Sequence, residues 1–136
     1  MIKTVLSIDD DKVVQFLHRD IIESELFCEQ LLEAYNGEEA LDFYNKFQSN
    51  GEPIANLPEV ILLDLNMPGM NGWEFFEAFE KRYPQYIEKT KIFILSSSIN
   101  PADISKAKTE KNIVAFLEKP LDVDKLTNIR VSWAKC

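Results

Sequence analysis

The chain is poor in cysteine, in positive charge and in long apolar runs, and each shortage removes a class of protein. Its two cysteines, Cys28 and Cys136, stand far apart, with no metal-ligand spacing and no basis for a disulfide framework. Lysine and arginine number 15 against 23 acids, a net charge of −8. Phosphate backbones demand a basic footprint, so nucleic-acid binding is not expected as the main activity. An anionic membrane surface is disfavoured for the same reason. No apolar stretch approaches the ~20 residues that a membrane span needs. The N-terminus, MIKTVLSIDDD, carries an apolar run too short for a signal peptide, and the run ends in acid. A cytoplasmic location is the expectation. No repeat, low-complexity tract or composition break divides the chain. With 46% apolar residues and nine Phe, residues 1–136 are expected to form one domain with its own core, with no room for an output domain.

What is present is an alternation. Short apolar runs occur at Thr4–Ile8, Gln30–Ala34, Val60–Leu63, Ile92–Leu95 and Ile113–Leu117. Three of them are nearly continuous in Val, Ile, Leu and Phe, as strands buried on both faces read. Between them lie segments of helical period. Val14, Leu17 and Ile21 mark one face of Lys12–Leu26, and Ala40, Phe43, Tyr44 and Phe47 mark the second helix. Phe75, Phe76 and Phe79 mark the third. The fourth starts with Asn100 as cap, Pro101 at the first position and Asp103 in the first turn. The fifth begins near Asp122, with Asp124 near its positive end and Leu126 and Ile129 facing inward. Strand-then-helix five times over predicts an α/β fold: a doubly wound parallel sheet, helices on both faces, right-handed crossovers. The polar loop Ser49–Pro58 is longer than the usual connection and has no assigned role.

Charge gathers at the C-terminal tips of three strands: Asp9-Asp10 after the first, Asp64 after the third, Lys119 after the fifth. In open α/β sheets ligands bind at those tips. Three carboxylates in one place repel, and at least one pKa must rise unless a cation intervenes. Mg²⁺, which takes oxygen ligands and keeps several waters, resolves the conflict. Singly, each feature has a plainer reading. An acidic pair also serves as a helix cap or solvated loop, Lys119-Pro120 as a loop start, and Ser96-Ser97-Ser98 as a serine-rich turn. An X-Pro bond can be cis, which here would aim Lys119 at the site. The loop Asp64-Leu65-Asn66-Met67-Pro68-Gly69-Met70-Asn71-Gly72 is more specific, because it can wrap an ion and offer the Asn66 main-chain oxygen.

Together these stretches resemble a known family. Ile8-Asp9-Asp10-Asp11, the Leu63–Gly72 stretch, Leu95-Ser96-Ser97 and Glu118-Lys119-Pro120-Leu121 look like the signatures of response-regulator receiver domains. Ala34–Leu41 resembles the stretch before that family's second helix. The match runs through essentially the whole chain in order. The resemblance implies a five-stranded flavodoxin-like sheet of order 2-1-3-4-5. It implies a single stand-alone receiver whose phosphoacceptor is Asp64, with Asp10 a direct Mg²⁺ ligand, Asp9 acting largely through water and Asn66 adding its main-chain oxygen. Lys119 would pair with the phosphoryl group, Ser96 would turn its hydroxyl inward on phosphorylation, and Phe116 would change rotamer with it. The signal would then reach the surface of the fourth and fifth helices and fifth strand. The implied partners are a sensor histidine kinase or histidine phosphotransfer protein and a downstream protein target. The resemblance makes this a signalling switch that phosphorylates and dephosphorylates itself rather than an enzyme. Ser96 stands where Thr is commoner and Asn71 where Asp is common. Asn66 and Ser98 occupy positions that tune dephosphorylation.

Rival readings fit less well. A phosphatase resembling haloacid dehalogenases carries its Asp-x-Asp on the first strand, whereas Asp64 lies on the third. A flavodoxin-like cofactor binder needs a phosphate cradle after the first strand, where Asp9-Asp10-Asp11 repels phosphate. A degenerate receiver serving only as a scaffold is the alternative, opposed by the intact set Asp9, Asp10, Asp64, Ser96 and Lys119. His18 reads as a structural histidine, Trp73 and the Phe cluster as core, Cys28 as a small core residue and Cys136 as a terminal one.

Overall fold

The computed structural model describes residues 1–135, so Cys136 lies outside the described residues. Five strands alternate with helices: β1 (Ile2–Ile8), α1 (Lys12–Ser24), β2 (Cys28–Ala34), α2 (Gly37–Ser49), β3 (Val60–Asp64), α3 (Gly72–Arg82), α4 (Pro84–Ile87), β4 (Lys91–Ser96), α5 (Pro101–Thr109), β5 (Ile113–Glu118) and α6 (Val123–Lys135). All pairings are parallel, and the sheet order is β2-β1-β3-β4-β5. The order reverses between β1 and β3, which makes their C-terminal ends the crevice of the fold.

β3 shows why the apolar runs are continuous. Ile61 and Leu63 face one core layer, Val60 and Leu62 the other, all at 1% exposure or less. The first layer joins the sheet to α2 and α3 through Tyr44, Phe75, Phe76 and Phe79. The second joins it to Ile22 of α1 and to Leu126 and Ile129 of α6. Helices therefore cover both faces. Asn36, Asn71 and Asn100 cap α2, α3 and α5 through their side chains.

Two details differ from the sequence reading. Pro84 starts a separate one-turn helix, α4, so the fourth and fifth expected helices are α5 and α6. The buried face of α1 is Gln15, His18 and Ile22, not Val14, Leu17 and Ile21, and Leu17 stays 51% exposed. The cause is hydrogen bonding. The main-chain oxygens of Ser7, Asp9 and Ala34 converge under α1, and Gln15 Nε2 reaches all three at 3.1–3.2 Å. Unpaired carbonyls there would cost more than burying another aliphatic side chain gains. In the long loop, Ile54–Asn56 forms a 3₁₀ turn and Leu57 is buried in the first layer.

Candidate functional site: an acidic pocket at the strand tips

Asp9 emerges from β1 held on both sides. Its N–H donates to Ala34 O at 3.1 Å and its carbonyl accepts from Gln15 Nε2 at 3.2 Å. Its Oδ1 accepts the Asp11 N–H at 3.0 Å. Asp11 is spent on structure, since its carboxylate caps α1 by accepting from Val13 and Val14 N–H. Asp64 ends β3, and its Oδ1 accepts the Asn66 N–H at 3.3 Å. The β3–α3 loop returns close to that strand end. Gly72 N–H donates to Leu65 O at 3.0 Å. A Cβ on Gly72 would stand 2.5 Å from Asp64 O and 2.7 Å from Leu65 Cα, so the start of α3 can approach Asp64 only with glycine there.

Asp9, Asp10 and Asp64 each bring one carboxylate oxygen within 4.8 Å of the others. Asp9 and Asp64 are 3% exposed and Asp10 is half-buried. Lys119 enters from the end of β5, where its N–H donates to Ser96 O at 2.8 Å. Its Nζ lies 2.6 Å from Asp9 Oδ2 and 3.2 Å from Asp64 Oδ1. The Lys119-Pro120 bond is cis. Burial alone would lower the Lys119 pKa, but the bond to Asp9 and the charges of Asp64 and Asp9 outweigh it and hold the ammonium above its usual range. Asp64 is pushed up to about 6, first by burial and then by the charge of Asp9, with Lys119 pulling the other way. Charge thus remains uncompensated at Asp64, and the donors are hard oxygens. That combination fits a divalent cation such as Mg²⁺.

The carboxylates, Asn66, Ser97 and Lys119 line a cavity of about 460 Å³. Its apolar wall is Val14 and Leu17 of α1, and His18 also borders it. His18 is 1% exposed, and its Nε2 accepts the Leu121 N–H at 3.4 Å. Burial lowers its pKa to about 4, so the ring is neutral at pH 7. Of the residues singled out from sequence, Asp9, Asp10, Asp64, Asn66 and Lys119 meet in this cavity. Ser96 and Phe116 do not. Ser96 is fully buried, and its hydroxyl donates to Ser98 O at 2.8 Å. Phe116 lies half-buried in a groove between α5 and β5. Sequence reasoning missed Gln15, whose only signal is a polar residue on the inner side of α1.

The sequence profile of the response regulator receiver domain matches residues 5–130. The chain belongs to that family. Receiver domains are signalling modules with an acidic Mg²⁺ pocket, and this one has an Asp9–Asp10–Asp64 group at its strand tips. A two-component response regulator from Cytophaga hutchinsonii superposes on this receiver with a TM-score of 0.88, at 32% identity, covering 99% of this chain and 98% of that one. The sporulation initiation phosphotransferase F of Bacillus subtilis is 26% identical over 126 residues, 93% of this chain and 89% of that protein. The protein-glutamate methylesterase/protein-glutamine glutaminase of Pyrococcus horikoshii is 31% identical over 116 residues, 85% of this chain and 28% of that protein. The chain thus spans a third or less of the methylesterase relatives, at 28% to 33% of their length. No helix among the described residues is long and apolar enough to cross a membrane.

Proposed function

We propose that this receiver acts as a cytoplasmic switch that accepts a phosphoryl group on Asp64 from a phosphohistidine of a sensor kinase or phosphotransfer protein. The observation that carries the reading is the buried Asp64 carboxylate with Lys119 Nζ at 3.2 Å and two further carboxylates within 4.8 Å. An Asp64 oxygen attacks the phosphorus, a P–O bond forms, and the P–N bond to the donor imidazole breaks, leaving neutral imidazole once it takes a proton. Lys119 pairs with the transferred oxygens, and moving its ammonium from the carboxylates to the phosphoryl group keeps local charge low. Asp10, Asp64 and the Asn66 main-chain oxygen would hold Mg²⁺ directly and Asp9 mainly through water. Bound there, Mg²⁺ neutralises charge on the transferring group. Water later cleaves the acyl phosphate and resets the site.

Ser96 and Phe116 carry the state outward. For Ser96 to hydrogen-bond a phosphoryl oxygen, its hydroxyl must leave Ser98 O, and the groove beside Phe116 then repacks under α5. The donor approaches across α1, where Val13, Phe16 and Leu17 are 67%, 59% and 51% exposed and Leu17 borders the cavity. The test is intact mass after incubation with a small phosphodonor and Mg²⁺. One phosphoryl adduct on the parent chain, absent from Asp64→Asn and lost with chelator, is the expected result. No adduct with either a small phosphodonor or a histidine kinase returns the protein to the scaffold alternative.

A further inference from the structure

The first turn of α5 is tied to α3 by side chains outside the pocket. Trp73 Nε1 donates to Asp103 Oδ1 at 2.9 Å, across 30 positions of sequence. Lys106 stands on the same side of α5, with its Nζ 4.5 Å from the centre of the Trp73 ring and 3.2 Å from Glu77 Oε1. Two residues of α3 and two of α5, each pair about one turn apart, therefore interlock at one place. The indole is itself fixed to the core, edge-on to the buried Phe76 at 6.2 Å.

α5 depends on such fixing. Among the described residues it buries Ala107 alone of its nine. A helix that short is marginal without tertiary contacts, so the few contacts it has decide where it sits. Those contacts lie between two segments that answer to Asp64. Upstream of α5, Ser96 Oγ donates to Ser98 O at 2.8 Å and accepts the Ser98 N–H at 3.3 Å, so the hydroxyl is satisfied inside the turn leading into the helix. On the other side, Trp73 and Asp103 wall a groove of about 500 Å³ together with Asn66, Met67 and Pro68 of the loop after Asp64.

We propose that Trp73 and Asp103 are positioning residues that lock α5 in its unphosphorylated place and thereby keep the Ser96 hydroxyl turned into its own loop. The inference rests on the receiver reading of Asp64. Contacts made in only one of two states bias the equilibrium toward that state, and removing them raises the population of the other. The lock therefore sets how readily the domain takes a phosphoryl group. A purely structural contact does the opposite, because its loss lowers labelling.

The experiment is the rate of Asp64 labelling by a small phosphodonor with Mg²⁺, followed by intact mass, in the parent chain, Trp73→Phe, Asp103→Ala and the double variant. Trp73→Phe keeps an aromatic ring against Phe76 and removes the N–H donor with the smaller half of the indole, while Asp103 is half-exposed, so the two variants perturb folding differently. Both single variants are expected to label about fivefold faster or more, the low end of inter-site coupling, and the double variant no faster than either single one. A second readout is tryptophan emission in a Trp133→Phe background, where Trp73 is the remaining indole of the two in the chain. Its emission should change on labelling, and Asp103→Ala should abolish that change. Equal or slower labelling of both variants, or an emission unmoved by labelling, overturns the lock while leaving the receiver reading intact. Failure of the parent chain to label at Asp64 overturns the receiver reading itself.

Discussion

Lys119 is shared unequally between two buried carboxylates, 2.6 Å from Asp9 Oδ2 but 3.2 Å from Asp64 Oδ1. Asp9 has the closer ammonium, and Asp64 is left with the larger unrelieved desolvation. Its pKa of about 6 in the fold stands above the ordinary 3.8. Between those values the folded state binds more protons than the unfolded one, so metal-free stability falls as pH rises through that window. Above it the whole cost is present, on the order of 2–3 kcal/mol. Asp64→Asn should therefore be the more stable protein at pH 7.5 in chelator, and the gap should close near pH 4. His18 runs the other way. Its pKa of about 4 lies below 6.5, so its contribution is present above that value and lost as pH falls toward 4. Urea unfolding across pH 4–7.5 should give a flat profile in the parent and a rising one in Asp64→Asn. Parallel profiles would dismiss the assignment.

The same uncompensated charge predicts a stabilising cation. Mg²⁺ binding the folded chain and not the unfolded one adds about 2.7 kcal/mol at a hundredfold excess over Kd. The rise in Tm on adding Mg²⁺ should be absent in Asp10→Asn and in Asp64→Asn. An undiminished rise in both would place the ion elsewhere.

Most of the fold was legible because its signal is redundant. β3 is apolar on both faces, Asn100 announces the start of α5, and the acids fall where the runs end. The error on α1 is instructive. Periodicity chose Leu17, whereas the structure buries Gln15 and His18, because hydropathy cannot see three carbonyls converging from β1 and β2. The position of Ser96 was legible, but not that its hydroxyl bonds to Ser98 O, which depends on where α5 settles. Trp73 read as core, and its bond to Asp103 is a tertiary fact that no local pattern encodes.

Gln15 should be expensive to replace although it touches no ligand. Its Oε1 accepts from Ser7 Oγ at 2.8 Å, and its Nε2 serves the oxygens of Ser7, Asp9 and Ala34. Gln15→Leu keeps the bulk but takes the acceptor from Ser7 Oγ and a donor from the oxygens of Ser7 and Asp9 in a fully buried place, while Ala34 O keeps the Asp9 N–H. At ~1–3 kcal/mol for each orphaned group, a loss of about 3 kcal/mol is expected in urea unfolding. Asp64 labelling should slow as well, since Asp9 loses the clamp on its carbonyl. A loss under ~1 kcal/mol would mean that the neighbouring oxygens find other donors.

Gly72→Ala tests the packing of α3 against the phosphoacceptor strand. Neither Asp64 O nor Leu65 Cα belongs to a flexible side-chain end, so the clash at 2.5 and 2.7 Å must displace backbone. The expected result is a loss of about 1–3 kcal/mol, as for other overpacked sites, with slower labelling of Asp64. Gly51, at φ +64 in the exposed turn after α2, is the contrast: nothing lies within 4 Å of a Cβ there. Gly51→Ala should cost stability through backbone strain alone and leave labelling unchanged.

The exposed face of α1 separates the chemistry from the encounter. Val13 and Phe16 stand more than half exposed on α1 and are not among the residues that line the cavity. If a phosphohistidine donor docks there, Val13→Ala with Phe16→Ala removes apolar contact worth ~1.4–2 kcal/mol, about ten- to thirtyfold in the apparent affinity for the donor. Transfer from the donor protein should weaken by that factor through KM. Labelling by a small phosphodonor, which needs no docking surface, should be unchanged. Equal losses with both donors would show that the substitutions damaged the pocket, and no loss with either would move the donor to another face.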